Sequence, residues 1–172
     1  VNCVLDEAVG SFNSLDMTVF TGTFTASGDF GIGIKATSGT PVVKLSAGMT
    51  YAPATAVITL AAASGVTLNV NFGSASVGVN IQVGSIIGGT WNGNVYFLDA
   101  LTIGATKTLT LTAGTLHTDG ASDNSGLTHS WGKFSAANTN TKLLTLGNSA
   151  ITITGTGTVW DGSTSTSLTG TG

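Results

Sequence analysis

Short runs in which apolar side chains alternate with small or polar ones recur along this chain. They include Thr18–Phe24, Phe30–Ala36, Val42–Ser46, Val57–Leu60, Val66–Phe72, Val77–Val83, Asn94–Leu98, Thr108–Thr112 and Ile151–Thr154. Alternation with a period of two puts one set of side chains on each face of an extended strand, so each run predicts a strand with one buried face. Clusters of Gly, Ser, Asn, Ala and Thr punctuate the runs, as turns require. No window carries the apolar stripe of an amphipathic helix. With 172 residues, 25 of them Gly and only 8% charged, the chain is neither charge-rich enough for disorder nor rich enough in helix formers for a helical fold. The expectation is an all-β fold of many short strands.

An internal match narrows that class. Leu101–Gly120 (LTIGATKTLTLTAGTLHTDG) and Leu144–Gly162 (LTLGNSAITITGTGTVWDG) correspond in order with one gap, a repeat of about 43 residues. Two turns of roughly 20 residues in a β-solenoid account for that length. Val66–Gly84 is a looser copy of the same strand-turn-strand unit. In such a coil, Leu, Ile, Val and Ala fill a narrow interior column and Thr faces outward. Gly104, Gly114, Gly147, Gly155 and Gly157 fall between strands, where corners are expected. An antiparallel β-sandwich or jelly roll is the alternative, because it uses the same strand lengths and turn residues. The predicted organisation is residues 1–14 as a connection to a longer chain or partner, 15–161 as the solenoid repeat domain and 162–172 as a low-complexity tail.

Charge and cysteine content limit the partners. Five lysines and no arginine against eight acids give a net charge of −3, which argues against nucleic acid and against a polybasic membrane anchor. Val57–Val66 is too short to cross a bilayer, and Val1 is not followed by a basic and then apolar leader. Cys3 is the single cysteine, so no intrachain disulfide is expected; a packed small side chain is the favoured role, with a tail thiol or an intermolecular bridge as the other readings.

No catalytic constellation is apparent, and no metal or cofactor is expected. A glycosidase needs two carboxylates flanking a bond. Asp119 and Asp123 are the one close pair in the later half, and the loop DGASDNSG around them reads as a solvated turn. With Asn124 they form a conceivable calcium loop that lacks the carboxylate series of known ones. His117 and His129 have no second His or Cys nearby to complete a zinc site; His129 is expected on a loop or at a subunit contact. There is no G-x-S-x-G elbow, and Gly31-Ile32-Gly33 opens no helix. Two features suit binding. Threonine rows (Thr21/Thr23/Thr25, Thr108/Thr110/Thr112 and Thr152/Thr154/Thr156/Thr158) are either ordinary exposed strand residues or an ordered array of the kind that binds ice. Trp91, Trp131, Trp160, Tyr51 and Tyr96 are candidate glycan or subunit contacts, with core capping or subunit packing favoured for Trp91 and Trp160.

Four segments carry a resemblance: LDMTVFTGTF (Leu15–Phe24), SAGMTYAPATAVITLAAASG (Ser46–Gly65), GGTWNGNVYFLDALTIGATKTLTLTAGTL (Gly88–Leu116) and KFSAANTNTKLLTLGNSAITITGTGTVWD (Lys133–Asp161). In these the chain resembles the Thr/Gly-rich β-strand-repeat proteins of tailed bacteriophages and aquatic viral metagenomes. The resemblance covers most of Leu15–Asp161 and implies a virion β-solenoid of the fibre, tail-spike or head-decoration type, without catalytic residues. It implies a non-enzymatic component of the particle surface used for adhesion or scaffolding. Its expected partners are copies of itself, other virion proteins and a host surface glycan. A bacterial surface adhesin, an ice-binding solenoid and a polysaccharide depolymerase are the competing readings; the missing carboxylate pair counts against the last.

Overall fold

The computed structural model describes residues 2–5, 10–26, 28–32, 42–52, 56–84, 91–120, 126–163 and 168–171. Three strands are laid down in each coil, and strands three positions apart in the chain pair in parallel, with a break between the seventh and the tenth. The first position holds β1 (Asn2–Leu5), β4 (Thr23–Ala26) and β7 (Thr50–Ala52) in one sheet. It continues with β10 (Ser76–Val77), β13 (Thr102–Ile103), β16 (Thr128–Trp131) and β19 (Ala150–Ile153) in another. The second position is a seven-stranded sheet of β2 (Gly10–Phe12), β5 (Phe30–Ile32), β8 (Val57–Leu60), β11 (Asn80–Val83), β14 (Thr108–Leu111), β17 (Lys133–Ser135) and β20 (Trp160–Asp161). The third, also seven-stranded, stacks β3 (Leu15–Asp16), β6 (Val42–Lys44), β9 (Thr67–Asn71), β12 (Asn94–Phe97), β15 (Gly114–His117), β18 (Lys142–Thr145) and β21 (Leu168–Thr171). The molecule is therefore a β-solenoid, with no helix among the described residues.

Alternation sets the interior. In β8, β9, β11, β12 and β14, residues are buried at every second position. Parallel register then stacks like on like. Leu68, Val95, Leu116 and Leu144 form one column, Leu60, Val83 and Leu111 a second, and Val43, Val70 and Phe97 a third. All are buried. Removing each such side chain from water contributes about 1.5–3 kcal/mol, which lets a narrow column hold a chain with few charges together. An aromatic series runs through the same interior. Phe72 meets Phe97 edge-on at 5.0 Å, and Trp131 stacks on Phe134 at 5.8 Å.

Corners are tight turns. Phe20, Met49, Val66, Ala75, Lys107 and Ser149 each donate a backbone bond to the carbonyl three residues earlier. Gly132 shows why some corners exclude side chains: a Cβ there would collide with the Gly104 and Lys107 carbonyl oxygens of the coil beneath.

Several strand expectations shift. Thr18–Phe24 is not one strand: Met17–Phe20 closes a turn, Val19 is 92% exposed, and the strand is Thr23–Ala26. Val77–Val83 is split by a corner between β10 and β11. The 43-residue match is not the stacking period. Leu109 stacks on Phe134, and Ile151 on His129, so the matched segments occupy different sheets. Registered partners lie 20 (Gly10 and Phe30) to 28 (Leu15 and Val43) residues apart. The local demand for strand, turn and strand is the same at every corner, so similar sequence recurs without marking equivalent faces. Stacking also passes the 15–161 limits, since β1 pairs with β4, β2 with β5 and β21 with β18.

Candidate functional site

The aromatic residues that suggested a binding surface do not converge. Trp131 is fully buried, so it is unavailable to a glycan or a subunit. His129 is also fully buried, which corrects its expected place on a loop. The physical reason is common to both. In Thr128-His129-Ser130-Trp131 the two rings are two residues apart, so both face inward. The Trp131 indole N–H has no hydrogen-bond partner; an unmade buried bond of this kind costs about 1–3 kcal/mol.

Trp160 is 46% exposed. It registers with inward-facing Phe134, and the two ring centroids lie 4.3 Å apart. As the last strand of its sheet among the described residues, β20 leaves the far side of that ring uncovered. Trp91 is half-buried, with an unpartnered indole N–H. Tyr96 is half-buried and stacks face to face on His117, at 3.9 Å and 4°. One ring face of Tyr96 is thereby taken, and its other register neighbour is Asn69. Tyr51 registers with Phe24 in β7, and its side chain lies outside the described residues. Tyr96 and Trp160 sit on different sheets, so the structure supplies no shared aromatic platform.

The other candidates are also dispersed. Burial pushes His117 below the ordinary histidine range, against the opposing pull of Asp119. Asp123 and Asn124 lie outside the described residues. Among the described residues no three His, Cys, Asp or Glu side chains are placed to hold a metal ion. Cys3 registers with Phe24 in β1, and its side chain is likewise not described. Of the threonine rows, Thr23 and Thr25 lie on β4, Thr108 and Thr110 on β14, and Thr152 on β19, three separate sheets. Among the described residues a mixed hydroxyl column runs through Ser76, Thr102, Ser130 and Thr152, and the Thr50 hydroxyl donates to that of Thr23 at 3.0 Å on the first sheet.

Two polar arrangements escaped the sequence reading. Lys142 is 1% exposed, and its ammonium donates to Asn138 O at 2.7 Å, Asn138 Oδ1 at 2.8 Å and Asn140 O at 2.6 Å. Burial pushes that ammonium below the ordinary lysine value, while three oxygen acceptors satisfy its three donors. The signal was present in Asn138-Thr139-Asn140-Thr141-Lys142, an Asn-rich corner leading into an inward-facing lysine. The second arrangement is the His129 ring, held at both nitrogens by backbone groups.

The interior encloses an apolar cavity near Met17, Phe24, Val43, Met49, Leu60 and Phe72. Its volume of about 10 Å³ admits no more than a water-sized body, and it presents no polar group. It is a gap between side chains and has no means of orienting a ligand.

No helix among the described residues is long and apolar enough to cross a membrane. Comparison with protein-family models, with curated proteins and with solved structures finds no match to this chain.

Proposed function

We propose that this chain is a non-enzymatic structural component of a bacteriophage particle, a fibre, tail-spike or capsid-decoration element that serves adhesion or scaffolding. The observation that carries this reading is the in-register column of Leu68, Val95, Leu116 and Leu144, backed by two continuous seven-stranded parallel ladders. Such a stack resists bending because the strands of two of its faces are bonded from coil to coil in continuous seven-stranded ladders. Outward ladders such as Thr59, Gln82, Thr110 and Ser135 are uncharged, which suits a passive surface. The resemblance over Leu15–Asp161 supplies the viral setting. Copies of the chain, other particle proteins and a host glycan are the partners in this reading, and Trp160, 46% exposed, is the aromatic residue most open to them among the described candidates, with Trp91 and Tyr96 partly buried.

Electron microscopy of particles made with and without the gene tests the proposal. The expected result is a rod whose density accepts this chain and disappears with the gene. Recovery of the protein solely as a free secreted monomer, or on a bacterial surface as an adhesin, overturns it. The dispersal of the threonine rows over three sheets weighs against an ice-binding role. Thermal hysteresis that is present in the wild type and absent in Thr110→Tyr would restore that role.

A further inference from the structure

His129 closes a seam between two coils. The Leu101 amide donates to its Nδ1 at 3.0 Å, from 28 residues earlier in the chain. An amide always donates, so Nδ1 carries the lone pair and the neutral ring keeps its proton on Nε2. Nε2 lies 2.7 Å from the Thr118 carbonyl, which accepts that proton. The same carbonyl accepts the Ser149 hydroxyl at 2.7 Å. Both imidazole nitrogens are thus spent on backbone groups that flank separate strands, Leu101 before β13 and Thr118 after β15, in a pocket with no exposure.

The ladder at this seam is thin. β13 and β16 share one registered pair, Thr102 with Ser130, whereas β16 and β19 share four. The Ser130 amide adds a bond to Leu101 O at 3.0 Å. The side chain of His129 therefore stands in for a missing ladder bond.

We infer that His129 is a proton-operated latch: neutral, it ties the coil starting at Leu101 to the next; protonated, it frees the Leu101 amide. Protonation places a second N–H at Nδ1, facing the Leu101 N–H, so two donors oppose each other at bonding distance. The imidazolium would also sit among Phe97, Trp131 and Leu101, where a charge is poorly solvated. At the corner after β12, Asp99 is the carboxylate that favours the charge, but its two oxygens already hold the Phe72 and Ser74 amides. Beside Thr118, His117 stacks on Tyr96, and the Asp119 carboxylate lies against Gly147. The facing parts of β13, β16 and β19 carry no other titratable group. Burial accordingly pushes His129 below the ordinary histidine value. The opened form binds the proton more readily, so the latch is fully closed above the ordinary value and is lost as pH falls through the lower one.

Hydrogen exchange and ring titration, read by NMR on the whole chain, test this. On acidification from about pH 7.5 to about pH 5, the wild type should lose protection at the Leu101 amide after correction for intrinsic exchange. The His129 ring should titrate in step with that loss, below the ordinary histidine midpoint. His129→Gln has an amide in place of the ring and does not titrate, so its Leu101 protection should be independent of pH. His117→Asn should behave like the wild type. If His129→Gln does not fold, the wild-type ring titration decides alone. Leu101 protection unchanged across the range, a ring that titrates at the ordinary value while Leu101 stays protected, or loss of the pH response in His117→Asn each overturns the inference.

Discussion

Asp99 Oδ1 accepts the Phe72 amide at 2.6 Å, and 27 residues separate the two. Its other oxygen accepts the Ser74 amide at 3.2 Å. One carboxylate at the corner after β12 therefore holds the turn after β9, one coil below. Asp29 does the same for the Val57 amide at 2.9 Å, and Asn80 for the Thr108 amide at 3.0 Å, each across 28 residues. Where the strands end and the ladder stops, side-chain oxygens continue the coil-to-coil bonding.

Asp99→Ala should destabilise the fold by about 1.5–3 kcal/mol, the usual contribution of a hydrogen bond to a charged group. Denaturant unfolding measures it. Amide exchange at Phe72 and Ser74 should accelerate in the variant; an unchanged midpoint with unchanged exchange would show that the bridge is incidental.

Trp131 and Trp160 should separate by position. Trp131→Ala removes a fully buried ring and should cost about 3–5 kcal/mol. Trp160→Ala, which removes a half-exposed ring, should cost well under that. In fluorescence, a quencher in solution should reach Trp160 and leave Trp131 untouched. Equal quenching of single-tryptophan variants would contradict the inward placement of Trp131.

Asp16 offers a titration. The Thr18 hydroxyl donates to Asp16 Oδ1 at 2.6 Å and the Thr18 amide at 3.1 Å, while Lys44 Nζ lies 3.1 Å from Oδ2. These hold the carboxyl at about 2, below its ordinary value of 3.8, with the Thr18 hydroxyl the largest cause. A depressed carboxyl stabilises the fold above its unfolded value and loses that contribution as pH falls toward 2. Carbon-13 titration should place Asp16 there. Thr18→Ala should return it toward the ordinary value further than Lys44→Met does. The reverse order would make the lysine the dominant partner.

Gly132→Ala should cost about 1–3 kcal/mol, since the new methyl meets backbone carbonyls that cannot withdraw. Gly162→Ala, with open space around the new atom, should be close to neutral. Thermal melting of both variants checks the contrast; equal midpoints would mean that the corners do not approach as closely as the stacking requires.

The strands easiest to read were those whose inward residues are aliphatic. Val57–Leu60, Val66–Phe72 and Thr108–Thr112 announce themselves by alternation, and the structure places strands there. Thr128–Trp131 and Lys142–Thr145 did not, because His129 and Lys142 occupy inward positions that a hydrophobic pattern assigns to Leu or Val. Lys142 is tolerated because the Asn138 and Asn140 oxygens of the corner just before it accept its protons, whereas His129 depends on Leu101 and Thr118, which sequence spacing does not bring to it. The coil period was hidden for a related reason. Corner lengths vary, so partners such as Asn94 and Thr115 lie 21 apart while Gly114 and Lys142 lie 28 apart. Surface chemistry was the least legible part. Whether Tyr96 offers a free ring face depends on His117 in the next coil, which the local sequence does not show.

Methyl–methyl nuclear Overhauser contacts among Leu68, Val95, Leu116 and Leu144 test the stacked coil most directly. Neighbouring strands lie about 4.8 Å apart, so the account predicts an unbroken series: Leu68 with Val95, Val95 with Leu116 and Leu116 with Leu144, with no contact from Leu68 to Leu144. Contacts from Leu68 to Val77 or Val79 in the pattern of a reversing hairpin, with none from Leu68 to Val95, would contradict it.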